Sequence, residues 1–354
     1  MQYVRLGNTG LIVSRLAFGV MTFGTADPSS PFATVAKTPQ QEAETLISRS
    51  LDAGINFFDT ADVYTNGETE KILGQALSSR RKDVVISTKV GFRSGEPLIQ
   101  AGASYRYVLA AAEGSLRRLR TDYIDLLSIH KFDPFTPAEE TARALENLVQ
   151  RGFVRYVGYS NWTAWQAAKF VGIQKAHNYS PLVAAQMYYS LVGRDLEHEV
   201  VPFCRDAGIG IVVWSPLASG FLTGRYTRED PSGGKGRISG FDFLPHDKEK
   251  GYDLVEKMKG IAGRHKATVA QIALAWLLGK SHVTSILLGA SKVSQLDDNL
   301  GSLNVGLTPA EMKELDDLTA PRPTYPGWFQ QKTLDQPVAD ALREDYVVET
   351  KVSA

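Results

Sequence analysis

Eight short apolar runs recur along this chain, and segments with helical periodicity separate many of them. The runs occupy residues 16–19, 56–59, 84–89, 124–130, 154–160, 183–186, 211–214 and 285–288. Such runs are typical of strands buried on both faces, because the helices that connect parallel strands cover both sides of the sheet. Eight such strands are enough to close an α/β fold of the (β/α)8 TIM barrel type.

The connecting segments support this repetition. Helical periodicity predicts helices over 40–53, 107–119, 137–151, 165–175 and 200–207. Gly54, Gly152 and Gly208 each follow a predicted helix and precede a strand, where glycine allows the chain to turn sharply. A doubly wound open sheet has the same alternation. Its dinucleotide-binding fingerprint is absent from the first βα turn at 19–24, which favours the barrel.

Three further segments complete the predicted domain, which spans 1–354 with the barrel at about 16–300. Residues 3–6 and 11–14 are predicted to form an N-terminal β-hairpin that plugs one end of the barrel. Long βα loops follow the first strand, at 21–38, and the seventh, where 232–236 is a lid candidate. A C-terminal helix and tail occupy about 308–354, and the path of the tail is not indicated.

Charge and composition exclude several classes of protein. Lys+Arg number 39 and Asp+Glu number 39, so there is no basic footprint for nucleic acid, and no metal-ligand spacing is present. The N-terminus lacks a signal-peptide pattern, and no apolar run approaches the roughly 20 residues that span a bilayer. A cytoplasmic protein without a membrane partner is therefore expected. The single cysteine, Cys204, is expected to be a packed apolar residue rather than a reactive thiol.

Polar groups suited to proton chemistry stand at three consecutive strand ends. Asp59 ends the second run, Lys89 the third and His130 the fourth, and Tyr64 follows Asp59 closely. In a barrel these strand ends meet at one mouth. Asp59 alone is equally consistent with capping the next turn.

The phenol of Tyr64 is the expected proton donor of this group. A phenol has a pKa of about 10, which is too high for efficient acid–base catalysis near neutrality. A buried lysine needs a counter-ion, and Asp59 would keep Lys89 charged. The Lys89 ammonium would then lower the pKa of Tyr64, and His130 would orient a carbonyl oxygen or share the proton.

Several motifs follow one another along residues 1 to 320. They are FDTADVY at 58–64 with Glu68 and Glu70, STK at 87–89, DLLSIH at 125–130, GYSN at 158–161, Gln186, WSPLASG at 214–220 and LGAS at 288–291. In this order they resemble the aldo-keto reductases, and are most similar to the bacterial branch related to potassium-channel β subunits. The resemblance implies a barrel that transfers hydride between nicotinamide and a carbonyl carbon, with Tyr64 as general acid or base.

The same resemblance implies a set of cofactor contacts. Ser160, Asn161 and Gln186 match the positions that hold the nicotinamide carboxamide, and Trp214 matches the position on which the nicotinamide ring stacks. The further contacts of the motif at 214–220 are Ser215, Pro216, Leu217 and Gly220. Ser160 and Asn161 are also consistent with a helix cap, which does not exclude ligand binding.

The segment after the eighth strand is the candidate phosphate site. Gly289, Ser291 and Lys292 precede a predicted helix at 293–300, and free N–H groups at a helix start attract anions. Lys292 favours NADP(H), while Gln295, where many relatives carry arginine, leaves NAD(H) possible. Gln295 and Asn299 lie on one helical face, from which we expect contacts to adenine.

The substrate is expected to be a small carbonyl compound or the corresponding alcohol, and its identity is not indicated. Candidates for the substrate wall are Met21, Phe23, Phe92, Phe132, Trp162 and Trp328. The segment Lys131-Phe132-Asp133 departs from many relatives, which makes substrate preference hard to infer. Two alternatives stay open: a cofactor-binding regulatory subunit with little turnover, and a barrel hydrolase or isomerase that needs no nicotinamide.

Overall fold

The computed structural model describes residues 1–26, 35–234 and 243–341. The strands in these ranges are β1 (Tyr3–Arg5), β2 (Ile12–Ser14), β3 (Leu16–Gly19), β4 (Gly24–Thr25), β5 (Lys37–Thr38), β6 (Phe57–Asp59), β7 (Val85–Val90), β8 (Ile124–Ile129), β9 (Val154–Ser160), β10 (Leu182–Tyr188), β11 (Gly210–Trp214) and β12 (Val283–Leu288). The helices are α1 (Gln40–Asp52), α2 (Glu68–Ala76), α3 (Tyr105–Leu119), α4 (Ala138–Gln150), α5 (Ala164–His177), α6 (Val200–Ala207), α7 (Lys248–His265), α8 (Val269–Leu278), α9 (Val293–Leu300), α10 (Pro309–Leu318), α11 (Gly327–Lys332) and α12 (Gln336–Ala341).

Eight parallel strands close into a barrel. Its order is β3, β6, β7, β8, β9, β10, β11 and β12, and β12 pairs with β3. Each of the eight predicted apolar runs coincides with one of these strands to within a few residues. The (β/α)8 fold predicted from the sequence is therefore confirmed, and all eight strand ends that precede helices lie at the same mouth.

The N-terminal hairpin closes the opposite end of the barrel. Strands β1 and β2 pair antiparallel, and Leu6 and Val13 are fully buried. They belong to an apolar cluster with Ala17, Phe57 and Val85, which lie near the beginnings of their strands. Burial of this apolar surface holds the hairpin in place, as the sequence predicted.

The helix ends have the glycine geometry that was predicted. Gly54, Gly152 and Gly208 have φ values of +85°, +73° and +69°. At Gly208 an added Cβ would lie 2.2 Å from the Asn8 amide nitrogen. The hairpin loop therefore packs directly against the turn between α6 and β11.

The long connection between β11 and β12 contains two helices, α7 and α8, which the sequence prediction did not include. Helix α8 is buried over most of its length, and its nearly continuous apolar sequence has no polar face to show a helical period. Residues 235 and 236 of the lid candidate lie outside the described residues, as do 27–34 of the first long loop.

The C-terminal segment begins with α10, close to the predicted helix. Thr308 caps it, and Glu311 completes a capping box. The tail continues into α11 and α12. Tyr325, just before α11, and Phe329, within it, are exposed. Within the described ranges, no helix combines the length and apolar character needed to cross a membrane.

Candidate active site

Three neighbouring strands carry Asp59, Lys89 and His130 to one end of the barrel. Asp59 is the last residue of β6 and Lys89 the next to last of β7, while His130 directly follows β8. The backbone N–H of His130 still donates to the carbonyl of Val90, at 2.8 Å, so the backbone at His130 is held against β7. The closed parallel sheet thus brings together residues that are far apart in sequence.

Lys89 is fully buried and all three of its N–H groups have acceptors. Its Nζ lies 2.6 Å from Asp59 Oδ1 and 2.6 Å from the carbonyl oxygen of Thr60, and it hydrogen-bonds Tyr64. Burial alone would lower the pKa of Lys89, but the negative charge of Asp59 and the bond to Tyr64 raise it above its ordinary value. Lys89 is consequently held as a buried cation.

Asp59 uses both carboxylate oxygens within the barrel. Oδ1 accepts from Lys89, and Oδ2 accepts from Gln186 Nε2 at 2.8 Å. The carboxylate therefore links β6 with β7 and with β10 across the mouth. The side chain of Asp59 therefore does not cap the next turn, which was the alternative role considered for this residue.

Tyr64 lies beside both Lys89 and His130. A 3₁₀ turn begins at Tyr64, and Thr65 and Asn66 behind it have positive φ values of 46° and 53°. The Lys89 Nζ lies 5.1 Å from the centre of the Tyr64 ring, and the His130 ring contacts it edge-on at 5.8 Å. The half-buried phenol is thus placed between a cation and an imidazole.

His130 is a neutral imidazole at neutral pH. Burial, and then the nearby cations Lys89 and Lys131, hold its pKa well below the ordinary value. Its ring packs edge-on against Phe92, with 4.6 Å between ring centres, and its buried Nδ1 has no partner among the described residues. A neutral ring carries one N–H and one acceptor nitrogen, so it is suited to hydrogen-bond an oxygen without gaining charge.

A polar network continues around the mouth from β8 to β11. Ser160 Oγ donates to the Gln186 carbonyl at 2.8 Å, and Asn161 Nδ2 donates to Ser160 Oγ at 2.9 Å and to the His130 carbonyl at 3.1 Å. Thr163, not Ser160 or Asn161, caps helix α5. The helix-cap alternative for these two residues is therefore wrong.

Trp214 ends β11 and is half-buried. Its Nε1 donates to Asn161 Oδ1 at 3.0 Å, which fixes the plane of the indole. The ring contacts Tyr188 at 5.2 Å between centres and stacks with Phe243 at 6.1 Å and 7°. No sequence motif indicated the contact with Phe243.

The segment after Trp214 has an unusual backbone. Ser215, Ala218 and Ser219 have positive φ values of 51°, 47° and 57°, in addition to Gly220 at 92°. Ser215 Oγ accepts from the backbone N–H of Ser219 at 3.0 Å. Pro216 and Leu217 lie within this turn. A positive φ is energetically costly for residues other than glycine, and residues with such values cluster at ligand-binding segments.

The segment after β12 leads into α9. Gln295 folds back over the helix start, where its Oε1 accepts from Ser291 N at 2.9 Å and Ser291 Oγ at 3.2 Å. Lys292 is exposed and has no ion-pair partner among the described residues, whereas Asn299 is buried. Around Gly289 an added Cβ would meet open space.

The six candidates for the substrate wall occupy different environments. Phe92 lies at the mouth against His130, and Phe132 contacts Trp162 and Trp165. Phe23 and Trp162 are buried, and Met21 is half-buried. Trp328 lies on α11, where its ring contacts Tyr325 and Phe329.

Asp62 belongs to the motif around Tyr64, but its environment was not anticipated. It is 5% exposed, and neither carboxylate oxygen has a hydrogen-bond partner within the part of the chain described. Burial, followed by the charge of Glu70, raises its pKa to about 7. Glu70 itself accepts from Thr88 Oγ1 and Arg118 Nε, each at 2.6 Å.

The remaining predictions concern Cys204 and metal ions. Cys204 is a buried free thiol 3.4 Å from the Tyr159 hydroxyl, and burial raises its pKa to about 11, as expected for a packed residue. In the described ranges, His, Cys, Asp and Glu side chains form no group of three or more able to hold a metal ion.

Comparison with known proteins is consistent with this geometry. The family model described as "Aldo/keto reductase family" matches residues 15–320. A protein named probable aldo-keto reductase 1 from Glycine max is 37% identical over 318 residues, covering 89% of this chain and 88% of the relative.

Two further relatives carry different names. A probable voltage-gated potassium channel subunit beta from Arabidopsis thaliana is 35% identical, covering 93% of this chain and 100% of that protein. Versiconal hemiacetal acetate reductase from Aspergillus parasiticus is 32% identical, covering 92% of this chain and 99% of that protein.

Proposed function

Because this chain belongs to the aldo/keto reductase family, we propose that it is an NADP(H)-dependent oxidoreductase acting on an aldehyde or ketone. In reduction, a hydride and a proton are added to the carbonyl group, and an alcohol and oxidised cofactor result. The reverse reaction oxidises the alcohol. The single observation that carries the proposal is the contact of buried, ion-paired Lys89 with Tyr64.

Tyr64 is the proposed proton donor. A phenol that is hydrogen-bonded to an ammonium ion releases its proton more readily, because the cation stabilises the phenolate. Lys89 fills this role, and Asp59 keeps Lys89 charged and in place. In alcohol oxidation the same oxygen receives the proton. Asp59 itself does not transfer the proton, since its oxygens are occupied by Lys89 and Gln186.

His130 is the proposed group that positions the substrate oxygen. Its neutral ring lies against Tyr64, so one N–H directed into the mouth holds the carbonyl oxygen near the phenol. Nδ1 has no acceptor within the described residues, which favours the tautomer with its proton on Nε2. Because the ring stays neutral, it does not compete with Tyr64 as the acid.

The residues on the other side of the mouth fit a nicotinamide cofactor. Trp214 provides a fixed aromatic face, and the amide and hydroxyl groups of Ser160, Asn161 and Gln186 suit a carboxamide. The cofactor supplies the hydride when it is bound. The turn formed by Ser215, Pro216, Leu217 and Gly220 is the proposed support for its pyrophosphate side.

The preference for NADP(H) rests on the start of α9. Lys292 is an exposed cation there, and the helix start is favourable for an anion. Gln295 must release Ser291 before Ser291 N–H binds a phosphate oxygen, since Gln295 Oε1 now accepts from it. NAD(H) is therefore a possible second cofactor.

The experiment that tests this function is a substrate panel read in both directions. Aldehydes, ketones and alcohols from small to bulky are incubated with NADPH, NADH or their oxidised forms, and absorbance at the nicotinamide band is followed. We expect turnover of at least one carbonyl class. Cofactor binding without turnover over the whole panel would contradict an enzymatic role.

A second candidate is a regulatory subunit, since one relative is named a potassium channel subunit beta. Cofactor binding without turnover would support that reading. A barrel hydrolase or isomerase would instead show no cofactor binding. Titration of protein fluorescence with NADPH distinguishes a hydrolase or isomerase, which would not bind the cofactor, from the oxidoreductase and the regulatory subunit, which would.

A further inference from the structure

The loops that follow β7 and β8 place a lysine beside the proposed substrate site. Lys131 directly follows His130 in sequence, and its Nζ lies 5.0 Å from the centre of the Phe92 ring. Phe92 in turn contacts the His130 ring edge-on at 4.6 Å. Lys131, Phe92 and His130 thus form a continuous row that ends at Tyr64.

Lys131 is exposed, and within the described residues no carboxylate forms an ion pair with it. Asp133, two residues further on, is directed to other donors: it accepts from Thr136 Oγ1 at 2.6 Å, from Ala103 N at 2.8 Å and from Phe135 N at 3.0 Å. The carboxylate thus holds the loop after β8 and joins it to the segment before α3. Burial raises the pKa of Asp133, but these bonds, and after them the charge of Lys131, lower it.

Arg93, a cation in the loop after β7, has a different environment. Its Nη1 donates to the carbonyl oxygens of Gly95, Glu96 and Pro97, at 3.3, 3.2 and 3.2 Å. It organises the loop after β7. Lys131 differs because its ammonium group lies over the aromatic face of Phe92, which leaves its N–H donors available to a ligand.

We propose that Lys131 binds the carboxylate of an anionic carbonyl substrate whose carbonyl oxygen lies between Tyr64 and His130. This inference rests on the proposed function and names its substrate class. Phe92 lies between the two polar ends, so the substrate carries an apolar spacer, such as an aromatic ring, that packs against it. Lys131 is thus a specificity residue, remote from the reacting atoms.

The test uses two aldehydes with the same ring that differ in the charge at its far end. They are 4-carboxybenzaldehyde and its neutral methyl ester, methyl 4-formylbenzoate, each reduced with NADPH. We expect Lys131→Met to lower the ratio of kcat/KM for the anion to that for the ester by about fivefold, the size of one partly exposed ion pair. The change appears in KM, because the lost contact is the same in ground and transition states.

Matched variants distinguish the effect of the charge at residue 131 from the effect of the shape of its side chain. Lys131→Arg keeps the cation and is expected to keep the ratio, while Lys131→Glu lowers it further. Lys175→Met removes an exposed lysine from the end of α5 away from the mouth and serves as the control. Added salt should lower the ratio in the unmodified protein and not in Lys131→Met.

An unchanged ratio in Lys131→Met overturns the inference, even if both rates fall together. The failure of the proposed function is a separate result, because it appears as no reduction of either aldehyde. Calorimetric titration of the two alcohol products in the presence of NADPH, which cannot oxidise them, measures the ratio of their affinities without turnover. Equal affinities for both alcohols in the two proteins would also overturn the role of Lys131.

Discussion

The Nζ of Lys89 lies 2.6 Å from Oδ1 of Asp59, and the two side chains are 0% and 4% exposed. A buried ion pair of this kind is weak evidence for stability, because desolvation of both charges offsets their attraction. Here every donor and acceptor of the pair is used, by Thr60, Gln186 and Tyr64. We infer that the role of the pair is to hold the positive charge of Lys89 next to Tyr64.

Removal of one partner of this pair should be costly. We expect Lys89→Met to lower the free energy of unfolding by about 3–5 kcal/mol, because Asp59 is left buried without its counter-ion. Urea unfolding measures the change. The double variant Lys89→Met/Asp59→Asn should recover part of the stability but none of the turnover. If the double variant were no more stable than the single one, the two charges would not be coupled.

His130 should resist protonation. Its pKa lies well below the ordinary 6.5, so the ring stays neutral when an unfolded histidine is protonated. The unfolded chain then binds more protons, and this group contributes stability above about pH 6.5 that is lost as the pH falls below it. Histidine NMR, with His130→Gln used to assign the signal, measures the titration. A midpoint at or above 6.5 would contradict the buried neutral ring.

Cofactor preference should depend on the start of α9. Lys292→Ala is expected to weaken NADPH binding more than NADH binding, because only NADPH has the 2′-phosphate. Gln295→Arg should strengthen NADPH binding selectively, since it adds a cation and frees Ser291 N–H from Gln295 Oε1. Fluorescence titration gives both dissociation constants. Equal changes for the two cofactors would remove the argument for a phosphate site here.

Asp62 should make the protein less stable as the pH rises. Its pKa is raised from 3.8 to about 7, so the folded protein keeps a proton that the unfolded chain has lost. The contribution of Asp62 to the free energy of unfolding is fully present below about pH 4 and is lost as the pH rises to about 7. Asp62→Asn should flatten the fall in unfolding free energy between about pH 4 and pH 7. An unchanged slope in the variant would mean that Asp62 ionises freely in the folded state.

The fold and the grouping of residues at the candidate site were largely predictable from local sequence. Short apolar runs separated by helices and glycine turns define strands that are buried on both faces, and a closed barrel places their ends together. Asp59, Lys89 and His130 were recognisable because each ends such a run. Their contacts follow from the closed sheet.

Other features depend on tertiary contacts that no local pattern encodes. The bond from Trp214 to Asn161 and the stacking with Phe243 join distant segments. The lack of a hydrogen-bond partner for the Asp62 carboxylate within the described residues was not predictable, since packing sets the direction of each side chain in a motif. Helix α8 was missed because its apolar sequence has no polar face. The alternative that Ser160 and Asn161 cap α5 was wrong, because the N-cap is Thr163.

The most direct test of the account is the turnover of Tyr64→Phe at saturating NADPH. The variant keeps the ring beside Lys89 and His130 and removes the proton. We expect kcat for carbonyl reduction to fall by about 10²–10⁴-fold, the usual contribution of a positioned acid, while NADPH affinity in a fluorescence titration is retained. Near-full turnover by this variant would contradict the role of Tyr64 as the general acid.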